Sequence, residues 1–284
     1  MKLVSFRIAA RESFGLVVGD GIVELPNRLG VPTLKALLAA GRLEEARAFA
    51  DAAPSVGLAQ VELLPVIPDP AHIWCMAINY QDHIDEIQAV GIQREPPKKP
   101  ALFMRYADTL VAHGDPLVKP KVSDDFDFEG ELAVVIGKAG RDIPEAEAMD
   151  YVAGYSIFND GSVRDWQFHT RQIAPGKNFR GTGSLGPWLV TRDEIADPNE
   201  LKIETRLNGE ALQRSSTRYM IHKIPGFIAY TSQILDLQPG DILATGTPSG
   251  VGFSRRPPIF MKAGDVCEVE IEGVGLLRNP VTAD

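Results

Sequence analysis

Acidic residues at every second position, Asp127, Glu129 and Glu131, run directly into the apolar stretch 132–136 (LAVVI). Its β-branched residues pack well on a pleated surface, so a strand is expected there. A period of two sets the three carboxylates on one face of that strand as it enters a core. Like charges beside a low-dielectric interior repel, and a divalent cation or a shared proton would compensate them. Hard carboxylate oxygens suit Mg²⁺ or Mn²⁺ better than zinc. The alternative without a site is an acidic edge strand or loop facing water.

The rest of the chain beyond residue 70 reads as short strands between Gly/Pro turns, at 73–78, 155–158, 188–191, 201–207, 242–244 and 266–271. Residues 79–88 form one short helix and 220–235 a longer one, with Pro225 near its start. Strand and helix do not alternate in a βαβ rhythm, so the fold class is α+β, mainly β. Residues 1–65 read as a small N-terminal α+β module. It has strands at 4–8 and 14–18, a Gly19-Asp20-Gly21 turn, and two short helices around Leu34, Leu37 and Leu38 and around Leu43 and Ala46. The segment 63–70 (LLPVIPDP) is an extended linker, and 66–284 carries every catalytic candidate.

With 29 basic and 38 acidic residues, the net charge of -9 repels a phosphate backbone, and nucleic acid is excluded as a partner. Cys75 and Cys267 sit beside apolar residues and read as buried free thiols. No apolar run approaches the roughly 18 residues of a membrane span, and the first residues read as a strand and a turn rather than an export signal. A cytoplasmic protein without a membrane partner is expected.

A third carboxylate would complete a metal site, and spacing leaves Asp160 and Asp165 open; Arg164 offers Asp165 an ordinary surface pairing. In the segment NYQDHIDE, Asn79 is the expected helix cap, with Asp82 three residues on. His83 and Glu86 are i and i+3, so they share a helix face, and a carboxylate beside an imidazole raises its basicity as a general base requires. An exposed helix turn with incidental pairing is the bland reading. His169, near Arg164 and Arg171, is a candidate for an anionic ligand. Lys177, between Gly176 and Asn178, is by default a surface lysine; aimed inward it would stabilise an oxyanion. Residues 181–186 match GxGxxG literally, but no apolar strand precedes them and Pro187 blocks the helix that should follow, so no nucleotide site is expected. The loop 245–252 lacks a P-loop ending, yet could aim backbone N–H groups at a carboxylate.

Together, NYQDHIDE, FDFEGELAVVIG, GYSIFNDGSVRDWQ, PGKNFRGTGSLGPWLVT and LATGTPSGVG, in this order over about 73–281, resemble the fumarylacetoacetate hydrolase (FAH) family. The N-terminal segment is similar to that of many bacterial two-domain members. The resemblance implies stacked, mixed β-sheets in a roll-like arrangement and a homodimer. It implies Glu129, Glu131 and Asp160 as ligands of Mg²⁺ or Mn²⁺, with Asp127 and Asp165 outside the set. His83 and Glu86 match the family's water-activating dyad, Lys177 its active-site lysine, and Gly246 with Thr247 the loop that holds a substrate carboxylate.

The implied activity is hydrolysis of a C–C bond in an acylpyruvate or β-diketo acid of aromatic or keto-acid catabolism. Two departures from the usual family wording, Arg105 after Phe103-Met104 and Arg180 after Lys177-Asn178-Phe179, suggest contacts to a second carboxylate, as in fumarylpyruvate. Tyr80 completes the expected substrate-binding set. The family also implies alternatives: an isomerase of a 2-hydroxymuconate-type diacid, or an oxaloacetate decarboxylase. A catalytically silent ligand-binding protein is the alternative from another class.

Overall fold

The apolar run after Glu131 is a strand buried at every position, and the computed structural model, which describes residues 1–91 and 95–284, is built around it. The strands that frame the site are β1 (Lys2–Ile8), β2 (Arg11–Val18), β3 (Gly21–Glu24), β4 (Ile73–Ala77), β5 (Ala101–Met104), β6 (Gly130–Ile136), β7 (Val152–Asn159), β8 (Gly183–Thr191), β9 (Lys202–Leu207), β10 (Glu210–Ser216), β11 (Ile242–Ala244), β12 (Val266–Ile271) and β13 (Gly275–Ala283). A 12-stranded sheet runs in the order β3-β2-β1-β8-β7-β6-β11-β4-β5, extended by short edge pieces. The sheet is mixed, because β11 pairs with β4 in parallel while β6 pairs with β7 and β11 antiparallel. A 5-stranded sheet holds β10-β9-β12-β13 and Leu117–Lys119. The fold is therefore α+β, mainly β, as expected.

Alternation along β6 shows why no polar residue interrupts it. Leu132, Val134 and Ile136 enter a core with Ile203 and Val269 of the smaller sheet and Phe227 and Ile228 of the helix Ile224–Ile234. Ala133 and Val135 enter a second core with Phe158, Ile242 and Ala244, closed by Leu34, Leu37 and Leu38. Both faces are covered, so both parities of the strand must be apolar. Residues 1–65 take part in this construction. β1 pairs antiparallel with β8, with Leu3 opposite Leu189, and the helix Leu34–Ala39 contributes to the second core. The N-terminal segment thus shares a sheet and a core with the remainder of the chain.

Local expectations hold with adjustments. The helix over 220–235 is Ile224–Ile234, with Pro225 in the first turn, where a missing N–H costs nothing. The helix over 79–88 is Gln81–Ala89, but its N-cap is Tyr80. Asn79 is instead buried, its amide donating to the carbonyls of His222 (3.0 Å) and Thr245 (2.8 Å). Gly183 to Gly186 of the GxGxxG match lie in β8, with no phosphate loop. Strands β10 and β13 were not foreseen: EALQRSS is polar and GLLRNPVTA carries Pro280, and pairing with neighbours overrides those propensities. Cys75 and Cys267 are free and buried. Among the described residues, no helix is long and apolar enough to cross a membrane.

The smaller sheet approaches β6 most closely at Gly130. A Cβ there would lie 2.3 Å from Thr205 Oγ1 and 2.9 Å from Val269 Cγ1. Gly130→Ala should therefore push the two sheets apart, lowering stability by about 1–3 kcal/mol in urea unfolding, as overpacking does. An unchanged midpoint would show that the contact relaxes freely.

Candidate active site

The register of two antiparallel strands assembles the acidic cluster. Gly130 of β6 faces Asn159 of β7, and Glu131 faces Phe158. Just beyond, the Asp160 N–H donates to the Glu129 carbonyl (2.9 Å). Glu129 and Glu131 from one strand thus meet Asp160 from the other, and one oxygen from each lies within 4.8 Å of the rest. All three are buried. Between the two alternatives for a third carboxylate, the structure brings in Asp160. Asp165 lies elsewhere, accepting from the Ser123 hydroxyl at 2.6 Å.

Asp127 departs from the strand face expected for it. Phe126–Asp127 is a separate short strand, and extended pairing is interrupted before β6 begins at Gly130. Asp127 instead accepts from the N–H groups of Gly252 (2.8 Å) and Phe253 (3.0 Å) and from Arg164 Nε (2.8 Å). Arg164 is therefore not a surface partner of Asp165. It is buried, and its Nη1 lies 2.6 Å from Glu129 as well.

Lys177 is likewise buried rather than at the surface. The turn Ala174–Lys177 delivers its Nζ to Glu129 Oε2 and Asp160 Oδ2, both at 2.7 Å. Burial opposes the Lys177 charge, but Asp160 and Glu129 outweigh it and raise the ammonium's pKa. For Glu129 burial is again the opposing influence. Lys177 and Arg164 overcome it and hold the carboxyl at about 2. Glu131 has no such cation in contact; burial first, then Asp160 and Glu129, push it well above the usual carboxylate range. Its hydrogen-bond partner is the Gly246 N–H at 2.8 Å. Gly246 reaches this position at φ +92, where a Cβ would stand 2.8 Å from Asn79 Cβ.

The charges do not balance. Asp127, Glu129, Glu131 and Asp160 are four buried carboxylates against three buried cations, Arg105, Arg164 and Lys177. The surplus falls at Glu131. An all-oxygen donor set with one uncompensated charge fits a hard divalent cation such as Mg²⁺ or Mn²⁺.

A cavity of about 760 Å³ opens over the cluster, lined among others by Glu129, Glu131, Lys177, His83 and Thr247. His83 Nδ1 lies 3.1 Å from Glu86 Oε2 on the helix Gln81–Ala89. The other oxygen of Glu86 accepts from the Gly250 N–H (2.8 Å) and the Ser254 hydroxyl (2.6 Å). Burial would raise Glu86, but the bonds from His83, Ser254 and Gly250 prevail and hold its carboxyl below the ordinary value.

Four of the residues expected to bind substrate are not among those lining the cavity. Arg105 is wholly engaged inside the protein, with Nη1 on Asp160 (2.6 Å) and the Gly161 carbonyl (3.1 Å) and Nη2 on Thr182 (2.9 Å). It supports a carboxylate of the cluster from behind. Arg180 is exposed and absent from the cavity lining. Tyr80 is fully buried, and its hydroxyl has no partner among the described residues. Burial, with Glu131 and Asp82 nearby, raises its pKa. Gly246 presents its N–H to Glu131, as above, so that donor is not free for a ligand. Thr247 does line the cavity, its hydroxyl donating to the Gly130 carbonyl at 3.0 Å.

The cavity is also lined by residues outside the expected site set: Gln167, Phe168 and Phe253, and Arg164 and Arg171, which the sequence offered only as neighbours of Asp165 and His169. Arg164 Nη2 is buried without a hydrogen-bond partner, an unsatisfied donor in the cavity wall. A signal for it existed, because four carboxylates reading as buried require more cations than Lys177 alone. His169 stacks near Trp166 (5.0 Å between ring centres) and is not among the lining residues.

The family model described as fumarylacetoacetate (FAA) hydrolase C-terminal matches residues 72–282. The chain is 45% identical over 223 residues to oxaloacetate tautomerase fahd2, mitochondrial, of Xenopus laevis, covering 78% of this chain and 68% of that protein. The solved 5-carboxymethyl-2-hydroxymuconate delta-isomerase from Mycobacterium smegmatis superposes with a TM-score of 0.79 at 31% identity, covering 100% of this chain and 99% of the other. Maleylpyruvate hydrolase from Sphingobium sp. SYK-6, solved with manganese(II) and pyruvate, gives 0.82 at 30% identity, with coverage of 100% and 99%.

Arg105→Met removes one of the two cations paired with buried Asp160 and should cost about 3 kcal/mol, whereas Arg180→Ala should change stability by under about 0.5 kcal/mol. Equal effects would contradict the different burial of the two arginines. For Glu86, a lowered native pKa means stability that is present above the unfolded carboxyl's 4.5 and lost as pH falls through the native value. The melting-temperature gap between the wild type and Glu86→Gln should accordingly be open near neutral pH and close on acidification. A gap that widens in acid would reverse the assigned direction.

Proposed function

The chain belongs to the fumarylacetoacetate hydrolase family, and from that premise we propose that it interconverts the keto and enol forms of a short 2-keto diacid such as oxaloacetate. The observation that carries this reading is one cavity lined both by a carboxylate-oriented imidazole, His83, and by the Glu129/Glu131 end of an acidic cluster. The relatives named oxaloacetate tautomerase and the isomerase among the solved structures favour proton transfer over the C–C hydrolysis first expected.

Glu129, Glu131 and Asp160 would hold Mg²⁺ or Mn²⁺. The bound ion supplies Lewis acidity, drawing charge toward the keto oxygen and acidifying the adjacent C–H. Glu86 accepts the Nδ1 proton of His83 and fixes the tautomer whose Nε2 is free. Nε2 takes the proton from the carbon beside the keto group and returns one to the enolate oxygen, so the net change is a proton shift without redox. Lys177 and the free Nη2 of Arg164 supply positive charge where the enolate develops.

A second reading has a specific observation behind it. The same His83–Glu86 pair would also activate water, and maleylpyruvate hydrolase shares the fold. The two readings differ in products. With Mg²⁺ or Mn²⁺, the oxaloacetate enol absorbance should relax faster without pyruvate appearing, and EDTA should abolish the effect. Pyruvate from oxaloacetate would mean decarboxylation; pyruvate and a free acid from an acylpyruvate would mean hydrolysis. His83→Ala should lower turnover by about 10²–10⁴ while metal binding persists, whereas Glu131→Gln should lose both. Parallel loss of metal binding in His83→Ala would overturn its assignment.

A further inference from the structure

The cationic side chains on the cavity wall are not equivalent. Arg164 pairs with Asp127 and Glu129, and Lys177 with Glu129 and Asp160. Arg171 is the remaining lysine or arginine among the described lining residues; it is exposed and has no carboxylate partner. In a chain with 38 acidic residues, a cation left unpaired in a cavity is available to a ligand.

Its place on the chain fixes where such a ligand would reach. The helical turn Arg164–Gln167 leaves the acidic cluster and the turn Ala174–Lys177 returns to it, so the segments flanking the loop 168–173 are both tied to Glu129. Arg171 stands in the middle of that excursion. The loop is further held by Phe168 against Phe253 (5.8 Å between ring centres) and by the Gln172 N–H on the Thr170 hydroxyl (3.0 Å). The near end of the cavity is acidic with Lys177 and Arg164 beside it; the outer wall offers a free guanidinium. The two ends suit a molecule with an anionic group at each end.

We propose that Arg171 is the specificity-determining residue of this cavity, receiving the distal carboxylate of a 2-keto diacid whose keto-acid end faces Glu129, Glu131 and Asp160. This rests on the keto-diacid reading above and assigns to Arg171 the role first given to Arg105 and Arg180. A guanidinium fork matches a carboxylate with two parallel N–H donors, which an ammonium cannot reproduce.

Calorimetric titration tests this without turnover. With Mn²⁺ present, L-malate and L-lactate share an α-hydroxy acid end, and malate alone carries a second carboxylate. Wild type should prefer malate. Arg171→Met should weaken malate binding by about tenfold, a charge-assisted hydrogen bond reduced by exposure, and leave lactate within about twofold. Arg171→Lys should fall between, and Arg180→Met should match wild type. Equal weakening of both ligands, unchanged malate affinity, or no malate binding to wild type each overturns the proposal. If malate preference depends on Arg171 while oxaloacetate enol is untouched, the subsite stands and the proposed reaction fails. If oxaloacetate turns over without any malate preference, the reaction stands and the subsite fails.

Discussion

Four carboxylates buried against three cations form the interaction to which the rest of the structure is fitted. A charge removed from water requires a partner and hydrogen bonds, and each member here has them in a different form. Asp127 takes three backbone N–H groups, of Phe128, Gly252 and Phe253, and one arginine. Asp160 takes Arg105 from behind and Lys177 from the front. Glu129 takes Lys177 and Arg164. Glu131 receives only a backbone N–H, and its raised pKa expresses that deficit. The imbalance is therefore localised: the uncompensated charge stands on the cavity lining, where a cation from solution can meet it.

Such a cluster demands a rigid frame, and the sheet supplies one. β6 and β7 share seven register positions and are covered on both faces, so a one-residue slip would mispack both cores and separate Glu131 from Asp160. Residues 1–65 matter for this reason. Leu34, Leu37 and Leu38 close the face that Ala133 and Val135 present, so the N-terminal segment stabilises the strand that positions the glutamates although it lines no part of the cavity.

Much of this was legible because strand patterning is local. Period-two acids followed by an unbroken apolar run identified β6, and the i, i+3 spacing of His83 and Glu86 survived as a direct contact. The failures share a cause. Arg105, Arg164 and Arg180 are the same residue type in polar-looking stretches, and nothing local distinguishes a buried partner of a carboxylate from a surface side chain. Only the pairing of distant strands decides it: Asp160 is 55 residues from Arg105, and Asp127 is 37 from Arg164. Asp127 was misplaced for a related reason. The strand period was carried through 128–129, where the chain leaves one pairing and enters another.

The division between the buried cluster and the cavity's outer loop also bears on how one fold serves several reactions. In the proposed reaction, stabilising an enolate would use the acidic end, its cations and His83, and the acidic end is carried by β6 and the end of β7. Proton shift and C–C hydrolysis diverge in what lies beyond the keto group: whether the chain of atoms ends in a carboxylate or continues to a second carbonyl, and whether water reaches it. That region is walled by 168–173 and Phe253; Phe168 packs against Phe253, whose N–H is held by Asp127, and Ile173 packs against the second core. Among the described residues, no side chain of 168–173 pairs with Asp127, Glu129, Glu131 or Asp160, so a change confined to those side chains would spare the cluster's ion pairs. On that wall Arg171 is exposed and has no carboxylate partner among the described residues, so a carboxylate facing it would gain a partner without removing one from the protein.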